Sequence, residues 1–342
     1  MRYYNSHEYI INKIQNQKPL MAFDENVDFY EWKKQAKQKL EELLGLPFEK
    51  CDDDFQIVSE NDACEYHRID FEFQSEEDYY VPCNLLIPSG AKKPLPTVIC
   101  LQGHSSGKHI SLGEEKFSGD MDTIEHSDFA LQAVREGYCA ITFDQRYMGQ
   151  TGQAADGTPS CFAENRSMPS LLLGRTAIGE RVWDVQRLID VMETRLHKYV
   201  DTKRIICLGN SGGGTAVLYA ACMDERIYMA IPSCAVCTFE ESVLPVYHCA
   251  CNYIPGIRRY FNMGDIGCMI APRRLIQVNG VKDHLFWIDG ARECHQVIRK
   301  AYHKLGSEEH CHMVEGDGAH RFFPAEVWPL VAEELASQKT SL

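Results

Sequence analysis

Ser211 sits in Gly209-Asn210-Ser211-Gly212-Gly213, directly after the apolar run 204–208 and directly before the helix-like stretch 215–221. A serine on so sharp a strand-turn-helix passage needs small neighbours, because the chain must double back closely at a strained position. The helix that follows points free N–H groups, that of Gly212 among them, toward any oxyanion formed at the serine. The chemistry served by such an arrangement is nucleophilic attack on an acyl carbon.

An activated serine needs a base within hydrogen-bond reach and a carboxylate that fixes the tautomer of that base. The strand-like run 275–278 is followed by Asn279-Gly280-Val281-Lys282-Asp283-His284, which puts Asp283 in the turn beyond a strand. The last apolar run, 311–314, leads into Glu315-Gly316-Asp317-Gly318-Ala319-His320-Arg321-Phe322, which puts His320 in a glycine-flanked loop able to swing over the serine. Each has an ordinary reading as well: Asp283 as a turn carboxylate or helix N-cap, His320 as a surface histidine, one of 13. Asp289 stays open as the acid, and His310 or His312 as the base, although those two histidines precede or lie within the strand. A second oxyanion donor is expected from the loop after 97–101, where the backbone N–H of His104 would pair with that of Gly212. The His104 side chain reads equally well as an incidental polar loop residue.

The elements that must position these residues follow from periodicity. Short apolar strands are predicted at 97–101, 138–143, 204–208, 228–231, 275–278 and near 311–314, separated by helices, which indicates a mostly parallel, doubly wound sheet covered on both faces. Alternation in Ile69-Phe71-Phe73 and Val81-Cys83-Leu85-Ile87 predicts an antiparallel hairpin at the N-terminal sheet edge. Ile178, Val182, Val185, Ile189 and Met192 repeat at helical spacing and read as core. Residues 1–60 are polar and acidic, with one amphipathic helix carrying Trp32, Ala36, Leu40 and Leu43 on one face and stopped by Gly45 and Pro47. They form an N-terminal extension to a main domain over 61–342. Two irregular stretches, about 145–175 and 234–268, follow strand ends and read as binding loops or lids over the carboxyl edge of the sheet.

The chain has 342 residues, 44% of them hydrophobic, and a net charge of −14. No lysine or arginine block interrupts that acidity, so nucleic acid and anionic membranes are excluded as partners. The N-terminus has no apolar signal segment and no stretch reaches membrane-spanning length, which predicts a cytoplasmic protein in which the Asn165-Arg166-Ser167 sequon is irrelevant. Fifteen scattered cysteines then read as reduced core thiols. Cys234, Cys237, His248, Cys249 and Cys251 have zinc-like ligand types, but the Cys-x-Cys spacing is unusual, and no metal or cofactor is expected.

With these pieces in place, the chain resembles α/β-hydrolases of the acetyl xylan esterase and dienelactone-hydrolase-like family from about residue 80 to 330. The resemblance rests on Leu101-Gln102-Gly103-His104, Asp144-Gln145-Arg146-Tyr147-Met148-Gly149, Gly179-Glu180-Arg181-Val182-Trp183-Asp184, the Ser211 turn, Asn279-Gly280 with Asp283 and Phe286, and Gly318-Ala319-His320-Arg321-Phe322. It implies an α/β-hydrolase fold, a triad of Ser211, Asp283 and His320, and a serine carboxylesterase acting on a small-molecule ester. The O-deacetylation of small acetylated sugars is the expected reaction. Dienelactone hydrolases proper use a cysteine nucleophile, so Ser211 argues against that substrate. A peptidase or amidase of the same fold, and a metal- or redox-responsive binding protein using the cysteine set, are the competing readings. Arg146, Arg175 and Arg181 read as structural more readily than as ligands for a substrate carboxylate, and Phe286, Trp287 and Phe322 as pocket walls more readily than as a sugar platform. A homo-oligomer is left open.

Overall fold

The computed structural model describes residues 3–92, 94–152 and 164–337. Nine strands form one sheet in the order β1-β2-β3-β5-β4-β6-β7-β8-β9: β1 Gln56–Asp62, β2 Tyr66–Glu76, β3 Tyr79–Pro88, β4 Leu95–Leu101, β5 Cys139–Phe143, β6 Val200–Asn210, β7 Ile227–Ser233, β8 Arg274–Gly280 and β9 Cys311–Gly316. β3 through β1 run antiparallel at one side. From β5 to β9 every neighbouring pair is parallel. This is the α/β-hydrolase architecture expected from the sequence, and its six parallel strands coincide with the six apolar runs.

β4, β5 and the inner half of β6 are buried along their length because helices cover both faces. The helix Ala177–Val191, capped by Thr176 Oγ1 accepting from the Gly179 N–H at 3.0 Å, lies on one face with the wholly buried helix Gly212–Met223. The predicted helical stripe of Ile178, Val182, Val185, Ile189 and Met192 is buried in that core. Helix Phe29–Leu44 packs on both of these helices through Trp32, Ala36, Leu40 and Leu44, and ends at Gly45 in the left-handed region (φ 78°).

The N-terminal part departs from the sequence reading at two points. A second helix, Ser6–Gln15, precedes the expected one, and it buries none of its residues. Its Ile10, Ile11 and Ile14 instead wall an apolar cavity of about 930 Å³ closed on the other side by Val243, Leu244 and Ile254. The antiparallel hairpin β2–β3 lies at the expected edge of the sheet, but an unexpected strand, β1, pairs outside it with a bulge between Ile57 and Ser59. β1 is exposed at nearly every position, and its residues Gln-Ile-Val-Ser-Glu-Asn-Asp carry no buried alternation to betray a strand. The stretch 234–268 is less irregular than expected and contains the helices Ile257–Tyr260 and Met263–Cys268. The stretch near 145–175 lies partly outside the described residues, as does the Asn165 side chain of the sequon.

Candidate active site

β4 has β5 on one side and β6 on the other, so chain direction around the sheet reverses at β4, and the carboxyl ends of β4 and β6 open a crevice there. Gly103 and His104 leave β4 into this crevice, and Ser211 leaves β6. Ser211 has φ 56° and ψ −123°, a conformation costly for a residue with a Cβ. The turn is held because the Ser211 N–H donates to Ser233 O at 2.8 Å and Ser211 O accepts from the Thr215 N–H at 2.8 Å. The glycines are steric necessities. A Cβ on Gly209 would come within 2.5 Å of the Gly213 backbone, and one on Gly214 within 2.5 Å of Ser233 O.

Ser211 and His320 line one cavity of about 260 Å³, with Gly103, His104, Ser105 and Arg321 among its walls. His320 Nδ1 and Asp283 Oδ2 lie 2.8 Å apart. The other carboxylate oxygen, Oδ1, accepts from the backbone N–H groups of Leu285 at 2.8 Å and Phe286 at 3.2 Å. Burial alone would raise the Asp283 pKa; the His320 hydrogen bond and charge, with those two N–H groups, overcome it and hold the carboxyl below its ordinary value. The Phe286 ring stacks on the His320 imidazole, centroids 5.8 Å apart and planes 12° apart, which fixes the ring orientation. His320 Nε2 is buried and has no hydrogen-bond partner among the described residues. A tautomer with the proton on Nδ1 leaves that nitrogen as a free acceptor.

The rival acids and bases are engaged elsewhere. Asp289 is exposed and pairs with Arg292 at 3.1 Å. His310 and His312 both bond Glu334, at 2.9 and 2.6 Å. At the expected oxyanion position, Gly212 heads its helix, and a Cβ placed on it would meet His104 Cε1 at 2.9 Å. The His104 imidazole is therefore packed against the serine turn, and its Nε2 lies 3.3 Å from Cys251 Sγ.

The cysteine set divides between two places. Cys234 lies within 4.8 Å of the reactive atoms of Asp283 and His320, and burial and the Asp283 charge push its thiol up to about 12. Cys237 is also pushed up by burial, and its Sγ approaches Glu241 O and Trp287 O. Cys249 and Cys251 group instead with His104, their ligand atoms within 4.8 Å of one another, the second such set among the described residues. The Cys249 thiol, then Arg181 and His104, draw the Cys251 pKa well down. Arg181 is wholly buried and pairs with no carboxylate among the described residues; its Nη1 donates to Cys251 Sγ at 3.5 Å, and its Nε and Nη2 donate to Arg146 O at 3.3 and 3.1 Å.

Arg146 and Arg175 are structural, as the ordinary reading held. Arg146 forks onto Asp184 at 2.8 and 2.9 Å, reaches Glu76 at 2.6 Å and covers the Tyr79 ring, while Arg175 pairs with Glu76 at 2.7 Å. Among the aromatics, Phe322 belongs to the core against Phe129 and Trp328, and Trp287 is partly exposed with its Nε1–H donating to His284 O. Sequence reasoning missed the brace of the loop that follows β4. Asp120 Oδ2 accepts from the Lys116 and Phe117 N–H groups at 3.0 and 2.8 Å and lies 2.9 Å from His109 Nε2, while its Oδ1 accepts from Ser106 Oγ. Burial opposes ionisation there, but these bonds outweigh it and lower the carboxyl to about 2. Asp144 adds a second brace by accepting from the Lys108 and Gln150 N–H groups.

The chain belongs to the Abhydrolase family, whose Abhydrolase_7 model matches residues 1–322. It is 24% identical over 242 residues, 70% of this chain and 77% of the relative, to the "Putative hydrolase YtaP" of Bacillus subtilis (strain 168). Among solved structures it is similar to "a putative acetyl xylan esterase" from Bacteroides fragilis NCTC 9343, with TM-score 0.79 and 21% identity over 92% of this chain and 83% of that one. It is also similar to a glucuronoyl esterase from Solibacter usitatus, with TM-score 0.69 and 14% identity over 93% and 98%.

Proposed function

We propose that the chain is a serine-dependent carboxylesterase that removes acetyl groups from small acetylated carbohydrates. The observation that carries this reading is the Asp283–His320 bond, which leaves His320 Nε2 unpartnered at the cavity that Ser211 lines. His320 Nε2 takes the Ser211 proton as Oγ attacks the ester carbonyl. The N–H groups of Gly212 and His104 receive the oxyanion, and Asp283 stabilises the imidazolium. The imidazolium gives its proton to the departing alcohol, and a water activated by the same nitrogen then releases the acid from the acyl-serine.

A cavity of about 260 Å³ suits a small acyl group, being below the usual range of roughly 300–1,000 Å³ for drug-sized ligands. The names of the structural neighbours, an acetyl xylan esterase and a glucuronoyl esterase, favour an ester of a carbohydrate over a peptide bond. A panel of acetyl, butyryl and feruloyl esters, acetylated xylo-oligosaccharides and a peptide amide tests the reading. Acetyl esters are expected to turn over fastest, and amide hydrolysis outpacing acetyl-ester hydrolysis would overturn it. A fluorophosphonate probe is expected to label the wild type and not Ser211→Ala.

A further inference from the structure

We propose that Arg321 forms a subsite for a carboxylate carried by the ester substrate, beside the reacting centre. This inference rests on the esterase reading and adds to it the charge class of the substrate.

Arg321 follows His320 directly and lines the same cavity as Ser211. The chain is acidic, with 49 Asp and Glu against 35 Lys and Arg, and several of its other partly buried arginines are held by carboxylates, Arg146 and Arg175 by Glu76 and Arg258 by Glu240, while Arg181 and Arg273 donate to backbone carbonyls instead. Arg321 has no carboxylate within 4.0 Å among the described residues. Its Nη1 donates to His126 Nε2 at 2.7 Å, and its guanidinium lies 5.2 Å from the centre of the Phe323 ring. These contacts hold the side chain without neutralising it. Asp317, the acid whose ionisation Arg321 favours, is already 2.6 Å from Lys282 Nζ at an exposed position. Asp122 also lines the cavity, but it is exposed and pairs with no cation among the described residues, Arg321 included.

A partly buried guanidinium with spare N–H donors, facing a reaction cavity, gains most from a planar anion that it can meet with charge-assisted hydrogen bonds. The cavity supplies further donors for such a group. Ser105 Oγ lines it, is buried, and has no partner among the described residues.

The test measures kcat/KM for matched esters, one member of each pair bearing a carboxylate. 4-Acetoxybenzoate against methyl 4-acetoxybenzoate puts the charge on the alcohol side, and mono-4-nitrophenyl glutarate against 4-nitrophenyl valerate puts it on the acyl side. The wild type is expected to prefer the charged member of at least one pair. Arg321→Gln is expected to lower that charged-to-neutral ratio by roughly 10- to 100-fold, the worth of charge-assisted hydrogen bonds, mainly through KM. Arg321→Lys is expected to retain part of the ratio. As a check that needs no variant, benzoate is expected to compete with a neutral ester in the wild type more strongly than benzamide does. No wild-type preference in either pair, a ratio unchanged in Arg321→Gln, or equal inhibition by benzoate and benzamide would overturn the subsite while leaving the esterase standing. Failure of the wild type to hydrolyse any of the four esters would overturn the esterase reading itself.

Discussion

Two sets of serine, histidine and aspartate lie near the end of β4, and they differ in what is left over. In Ser106, His109 and Asp120, the imidazole Nε2 faces both the hydroxyl and the carboxylate, and the carboxylate takes two backbone N–H groups as well. In Ser211, His320 and Asp283, the carboxylate is steadied by two backbone N–H groups in the same way, but it meets the imidazole through Nδ1. The first set closes on itself and braces a loop. The second leaves one basic nitrogen bare at a cavity and sets its serine on a strained turn. Identical residue types thus brace a loop in one place and, on the proposed mechanism, supply reactivity in the other, and the difference is the nitrogen through which the acid is met.

If the comparison holds, the two sets fail differently when broken. Ser211→Ala and His320→Ala should each cost nearly all ester turnover, on the order of 10⁶-fold in kcat as in other triads, and the double variant should be little worse than either. Multiplicative losses would separate the two residues. Asp283→Asn should lower kcat by about 10⁴-fold, because an amide holds the wrong imidazole tautomer. In the closed set, Asp120→Asn should show chiefly as lost stability, about 1–3 kcal/mol by denaturant unfolding, while fluorophosphonate still labels Ser211. Because the folded Asp120 carboxyl is lowered to about 2 from an ordinary 3.8, its contribution is present above pH 4 and lost as pH falls from about 4 to 2. The stability gap between wild type and Asp120→Asn should shrink over that window, and a constant gap would assign the loss to packing instead. The smallest effect is expected for Asp289→Asn, exposed on its helix, with stability within about 0.5 kcal/mol of wild type and activity nearly unchanged.

The parallel strands were legible because burial on both faces demands continuous apolar runs, and Thr97–Leu101 or Leu275–Val278 cannot be read otherwise. The Ser211 turn was legible because its glycines answer a steric requirement visible in one short window. β1 was not, since a polar strand paired on one side only has no apolar face to display. Helix Ser6–Gln15 escaped for a related reason, its isoleucines walling a cavity rather than joining a core. The loop brace was invisible because Ser106, His109 and Asp120 come from a turn, a 3₁₀ segment and a helix with no shared period. The Arg146–Asp184 fork joins residues 38 positions apart, and nothing local marks either as the partner of the other.

The outermost strand carries its own protection. β1 presents a row of unpaired backbone groups to the surroundings, a template on which another copy could lay a strand and begin a stack. Its bulge kinks that rim, and Glu60 and Asp62 place carboxylates along it, bridged by His67 at 3.2 and 2.7 Å. The polar composition that hid β1 from pattern reading therefore keeps concentrated molecules from zipping together edge to edge.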